Sequence, residues 1–313
     1  MGRGSELIRA FDRGGYTRAT IRVSHVPLLN CITCHRLWGV ITASMRARIL
    51  ESKMLPLMTF PYRFWLISRH IVKIFKHSLV WLFRSKEFAN FTYDLTPSNK
   101  SYLAWFVANM CRVPVNQIRG YIDELETNFQ LNSYIKSRLE VHQRGNEIDS
   151  HAFFGRRIGW YAIVRATKPS IVVETGTEKG LGSLVLAEAL IKNKSGRLIT
   201  IDMEPSSGLL IGPEYDGVVE RIIGDSLSAI TKIKQIDLFI HDSDHSTEHE
   251  LRELNLLERR LSKDGIVISD NAHSTTELEK FSIRHGRKFF YFQEQPLDHW
   301  YPGAGIGVST KSA

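Results

Sequence analysis

Two segments of this 313-residue chain run from apolar residues straight into polar ones. The first is Asp237-Leu238-Phe239-Ile240-His241-Asp242-Ser243-Asp244-His245, and the second is Val267-Ile268-Ser269-Asp270-Asn271. Asp242, Asp270 and Asn271 offer hard oxygen ligands, which suit Mg2+ or a similar divalent cation. His245 is a general base for chemistry near neutral pH, where an ordinary imidazole is largely uncharged. For any one carboxylate the ordinary alternative is a surface acid or a helix cap. The case for a site rests on several such groups falling at the ends of two neighbouring strands.

A third segment, Val173-Glu174-Thr175-Gly176-Thr177-Glu178-Lys179-Gly180-Leu181-Gly182-Ser183, reads as a strand, a glycine-rich turn and a helix start. Glycines there allow a tight turn and a close backbone approach to a ligand, and the helix start presents free N–H groups. Glu174 is placed to take the ammonium of an amino-acid-like ligand, and Gly176, Thr177, Gly180 and Ser183 are candidates for the same ligand. The spacing is not that of the dinucleotide GxGxxG loop, which counts against a nicotinamide-dependent oxidoreductase. Asp202 lies 26 residues after Gly176 at the end of the next apolar run. An acid there can accept hydrogen bonds from ribose hydroxyls. Asp225 and Ser226, in Gly224-Asp225-Ser226, could meet an adenine edge or simply cap a helix.

These groups need a frame, and the sequence supplies one from Ser170 onward. Strands are expected over residues 171–173, 197–201, 218–223, 236–240, 266–269, 288–292 and 306–309. Helices are expected over 184–191, 227–233 and 248–261, the last stopping near Asp264-Gly265. Strands separated by helices imply an α/β, Rossmann-like, mostly parallel sheet with helices on both faces. Such sheets bind ligands at the C-terminal ends of their strands, where the polar groups above fall.

The motif order ETGTEKG, IDME, GDS, DLFIHDSDH and GIVISDN resembles class I S-adenosylmethionine-dependent methyltransferases. Its last two motifs resemble the metal-dependent O-methyltransferases acting on catechols, caffeoyl thioesters and macrolide sugars. The resemblance covers about residues 150–313. It implies that Glu174, Gly176 and Gly180 surround the methionine moiety of S-adenosyl-L-methionine, that Asp202 binds ribose, and that Asp225 and Ser226 fall in the adenine region. It further implies that Asp242, Asp270 and Asn271 hold a divalent cation, Mg2+ in the first instance. His245 stands where the plant and catechol enzymes carry a lysine base, as in the sugar-modifying branch. The implied reaction is methyl transfer to a hydroxyl of a small-molecule acceptor. A methyltransferase working with His245 and no cation is an alternative, as is a non-catalytic or membrane-associated binding protein of the same fold. His273, His299, Trp300 and the segment Tyr301-Pro302-Gly303 are candidates to line the acceptor pocket or to be structural.

Before the sheet the composition changes. Residues 1–100 carry 16 Lys/Arg against 5 Asp/Glu, and the rest of the chain carries 25 against 28. A basic region suits an anionic surface, but no nucleic-acid-binding motif accompanies it, so nucleic acid ranks low. Residues 1–59 are expected to be a poorly ordered basic tail. Residues 60–150 are expected to be a helical accessory region, and 151–313 the methyltransferase domain. Within 60–84, Arg69, Lys73 and Lys76 interrupt an apolar run at helical spacing, which argues against a spanning helix. It leaves open a basic amphipathic helix lying peripherally on a membrane. Thr96-Pro97-Ser98 is a helix entry, with further helices at 115–125 and 131–142. The 3 cysteines indicate no disulfide framework and a reducing, cytoplasmic setting. Cys31-Ile-Thr-Cys34-His35 spells a haem-attachment motif, but no export signal accompanies it and it reads as coincidence. A homo-oligomer is a further expectation.

Overall fold

The structure is a computed structural model that describes residues 55–89, 91–149 and 151–311. Most of the basic tail, including Cys31, Cys34 and His35, lies outside the described residues. The chain divides into two compact units, residues 1–69 and 70–313. A short helical turn, Leu55–Met58, precedes helix α1, Phe60–Arg84. No helix among the described residues is long and apolar enough to cross a membrane.

Three helices follow: α2 (Pro97–Cys111), α3 (Val115–Glu126) and α4 (Phe129–Val141). Thr96 caps α2, its side chain accepting from Asn99 N at 3.3 Å with Pro97 in the first turn. Arg112 in the left-handed region ends α2, and Val113-Pro114 separates it from α3. Asn128 caps α4 through Leu131 N at 3.0 Å. Helix α5, Arg157–Thr167, then leads into the sheet and is buried from Arg157 through Val164.

The sheet has seven strands: β1 (Ile171–Thr175), β2 (Arg197–Asp202), β3 (Val219–Ile223), β4 (Ile236–His241), β5 (Leu261–Ser269), β6 (Arg287–Gln293) and β7 (Gly305–Lys311). Their order is β3-β2-β1-β4-β5-β7-β6. The first five named are parallel, and β7 is antiparallel to both β5 and β6. Helices α6 (Leu181–Asn193), α7 (Ser226–Lys232), α8 (Thr247–Leu257) and α9 (Glu277–Arg284) connect them. This is the doubly wound, Rossmann-like arrangement expected from the sequence, with its order reversing between β1 and β4. Val172 and Leu238 belong to one apolar core and Val173 and Phe239 to a second, so the central strands bury alternate residues on two faces.

Four elements differ from the sequence expectation. The helix expected to run to Leu261 stops at Leu257, because Arg260 already accepts from Ile236 N at 2.8 Å and Leu261 pairs with Ile236. Asp264-Gly265 therefore sits inside β5, where the register against β4 shifts, rather than beyond a helix. Helices α5 and α9 were not marked by the apolar pattern.

Candidate functional site

The ladder continues one bond past each central strand and fixes the loops that carry the polar groups. Gly176 N donates to Ile201 O at 2.9 Å, Asp242 N to Thr175 O at 2.9 Å, and Asp270 N to His241 O at 2.8 Å. The β1 loop is thereby clamped against the ends of β2 and β4, and the β5 end against β4. A Cβ on Gly176, at φ 91°, would overlap the Asp242 carbonyl oxygen, so only glycine lets these two loops meet.

Glu174 is buried at the end of β1, with Ser183 and Thr200 hydroxyls donating to its Oε2, the latter at 2.8 Å. Thr177 joins the same cluster through Thr200 at 2.6 Å. Burial pushes the Glu174 carboxyl up to about 7 against these hydrogen bonds. Gly182 leaves room for it, since a Cβ there would lie 2.5 Å from Glu174 Oε1. Asp202 accepts from Glu178 N and Glu204 N, each at 2.8 Å, and so ties the β1 loop to the end of β2. A narrow pocket of about 40 Å³ opens beside these loops, lined by Glu174, Gly176, Thr177, Lys179, Arg157 and Asp242. Its other wall comes from the helical region through Glu87, Thr92 and Ile148.

Asp225 and Ser226 lie away from this pocket. Asp225 caps α7, accepting from Ser228 N at 2.8 Å, and these bonds hold its carboxyl below the usual range. Ser226 donates to Glu253 Oε1 at 2.5 Å. Glu253 is fully buried and also bonds His241 Nδ1 at 2.8 Å, His249 Nε2 at 3.0 Å and Thr175 Oγ1 at 3.0 Å. Those partners outweigh its burial and pull it down to about 2.

Around Asp242 the predicted residues come together. Asp242, His245 and Asp270 each offer a ligand atom within 4.8 Å of the others. His245 Nε2 lies 2.8 Å from the Asn271 side-chain amide and 3.8 Å from Asp242 Oδ1. Its Nδ1 is buried without a hydrogen-bond partner, and burial lowers its pKa and keeps the ring neutral. Asn271 turns its amide toward His245 from the left-handed region (φ 53°), which asparagine tolerates well. Burial and the nearby Asp270 carboxylate push Asp242 up. Arg156 holds Asp270 down, its guanidinium gripping both carboxylate oxygens. Glu294 completes the cluster, accepting from Tyr93 OH at 2.7 Å and lying 3.7 Å from Arg156 Nε; burial pushes it up to about 6.

The donor set fits a hard divalent cation in kind: two carboxylates and an imidazole converge, with Asn271 beside them against His245. Arg156 shares that set. Arg156, Tyr93, Thr200 and Glu294 were not singled out in the sequence. Arg156 and Asp270 are 114 positions apart, and no local spacing links them.

A larger opening of about 400 Å³ is lined by Trp81, Arg84, Thr92, Tyr93, Phe153 and His299. Thr92 belongs to both openings. Trp300 and Tyr301 pack their rings on Phe91, with centroids at 5.2 and 5.7 Å, and His273 accepts from Gly305 N at 3.2 Å. Of these candidates only His299 faces the opening.

Residues 173–272 match a family model described as a methyltransferase domain. Among solved structures, the chain is similar to a methyltransferase from Geobacter sulfurreducens, at 24% identity over 49% of this chain and 76% of that one (TM-score 0.40). It is similar to the O-methyltransferase TomG from Streptomyces achromogenes, involved in tomaymycin synthesis and in complex with SAM, at 16% identity over 57% and 90% (TM-score 0.43). An O-methyltransferase from Bacillus cereus in complex with SAH shows 13% identity over 61% and 96% (TM-score 0.46). No curated protein matches the chain.

Proposed function

We propose that this chain transfers the methyl group of S-adenosyl-L-methionine to a hydroxyl of a small-molecule acceptor. One observation carries the reading: Glu174, Gly176 and Asp242 line a single pocket where the strand order reverses, with His245 and Asn271 beside Asp242. The match of residues 173–272 to a methyltransferase domain supports it.

Glu174 takes the donor's ammonium, whose charge draws the carboxyl into its ionised form. Gly176 and Gly180 let the backbone approach the methionine part. Asp202 keeps lone pairs for ribose hydroxyls after its two backbone bonds. Asp225 stays exposed beyond its cap and is the candidate for the adenine end. Methyl transfer is a direct displacement: the acceptor oxygen bonds the methyl carbon, the carbon–sulfur bond breaks, and sulfur keeps the electron pair. The protein's part is alignment and removal of one proton. His245, whose Nε2 lies 2.8 Å from the Asn271 side-chain nitrogen, is the candidate to take the hydroxyl proton.

Asp242, Asp270 and Asn271 would hold a divalent cation, Mg2+ by the hardness of these donors, which supplies charge that acidifies and orients the hydroxyl. Arg156 gripping both oxygens of Asp270 favours a second reading, in which His245 works without a cation. The test is incubation of the purified chain, with and without Mg2+, with labelled donor and a pool of hydroxylated small molecules. Mass spectrometry should find label on an acceptor oxygen, lost in His245→Ala. No transfer under either condition counts against the proposal, and full transfer in excess chelator selects the cation-free reading.

A further inference from the structure

Helix α1 has no buried residue along its whole length, although more than half of its side chains are apolar. Phe60, Phe64, Ile67, Ile71, Phe75 and Leu82 are each between 57% and 63% exposed. Their spacing places them within an arc of about 80° on a helix that turns about 100° per residue. Arg69, Lys73, Lys76 and Arg84 fall within the opposite arc of about 80°. Phe60–Arg84 contains no Asp or Glu at all. Near its C-terminal end the helix is fastened by a third side: Trp81 packs its ring edge-on against Phe91 and Trp300, both at about 5.3 Å or less between centroids, and His77 lies 3.8 Å from Asp298. The fastened side is therefore neither the apolar stripe nor the centre of the basic face.

We propose that α1 is a docking helix for the surface of an anionic lipid bilayer, lying in the plane of the interface with its Phe60-to-Leu82 stripe among the acyl chains. Charge complementarity selects this occupant. Five fixed positive charges with no acidic neighbour on the helix oppose its pairing with a second copy of itself, whereas anionic headgroups satisfy all of them. The long Lys and Arg stems allow their charges to reach headgroups while the stripe is inserted. The same helix supplies Trp81 and Arg84 to the opening lined by Tyr93 and His299. The proposal is independent of methyl transfer, because vesicle binding is read without donor or acceptor.

The experiment is flotation of the full chain with phosphatidylcholine vesicles and with vesicles that also contain phosphatidylserine. The expected result is flotation with the anionic vesicles alone, weakened by salt. Ile67→Glu/Ile71→Glu and, separately, Lys73→Glu/Lys76→Glu should each reduce binding about tenfold or more. All these positions are exposed, and circular dichroism should show both variants folded. If the first variant unfolds, the charge-reversed one decides. Equal flotation with neutral and anionic vesicles, no flotation, or undiminished binding by the folded variants overturns the proposal. So does lipid-free self-association in sedimentation that Ile67→Glu/Ile71→Glu abolishes, since that makes the stripe an interface between copies.

Discussion

Replacing Glu174 by Gln should stabilise the free protein above neutral pH and weaken its hold on the donor. Glu174 is buried and its carboxyl is pushed from 4.5 up to about 7. The folded protein therefore holds a proton that the unfolded chain releases between pH 4.5 and 7. Stability from this group is fully present below the lower value and is lost as pH rises through the upper one. The gap corresponds to about 3 kcal/mol. Glutamine keeps the shape, stays neutral and avoids that loss, provided the Ser183 and Thr200 hydroxyls rotate to meet its amide. For a folded unit of this size the gain is on the order of 6–12 °C in Tm at pH 8, and near zero at pH 4.5. Thermal unfolding at several pH values, with and without S-adenosyl-L-methionine, reads both effects. Wild type should lose stability from pH 5 to 8 relative to Glu174→Gln, yet gain more from the donor. Parallel pH profiles would show that Glu174 does not titrate in this way, and equal donor-induced shifts that it does not hold the donor.

Glu253 runs the opposite way: held at about 2, it contributes stability above pH 4.5 that disappears as pH falls toward 2. Glu253→Gln should flatten the acid limb of a pH–stability curve by about 3 kcal/mol, and an unchanged limb would contradict the network around His241 and His249. Arg156→Ala leaves Asp270 and Glu294 buried without their cation and should cost about 3–5 kcal/mol in denaturant unfolding; a loss below about 1 kcal/mol would mean the grip on Asp270 is not a structural pair. Asp242→Ala should weaken Mg2+ binding in calorimetry at least about tenfold, and undiminished binding would remove Asp242 from the cation site.

The sheet was legible because its central strands are buried on both faces and read as short apolar runs that stop abruptly at polar residues. That stop also exposed Glu174, Asp202, Asp242 and Asp270 as candidates. Helix α5 escaped notice because residues 158–164 run without a charged residue and Arg156 makes no side-chain cap to mark its start. The end of α8 was misread because Asp264-Gly265 resembles a helix stop, while the pairing of Leu261 with Ile236 shows a strand already begun. The Arg156–Asp270 pair joins a helix start to a distant strand end, a relation that only the tertiary fold creates. The Asp225 cap was legible because its bond to Ser228 N is local, whereas the Ser226–Glu253 bond depends on α7 and α8 lying side by side.

Calorimetric titration of the full chain with S-adenosyl-L-methionine, with and without Mg2+, decides whether the protein binds the methyl donor. One donor should bind per chain, with affinity reduced at least about tenfold in Glu174→Ala. Absence of binding by the folded wild-type protein under both conditions would contradict the methyltransferase reading.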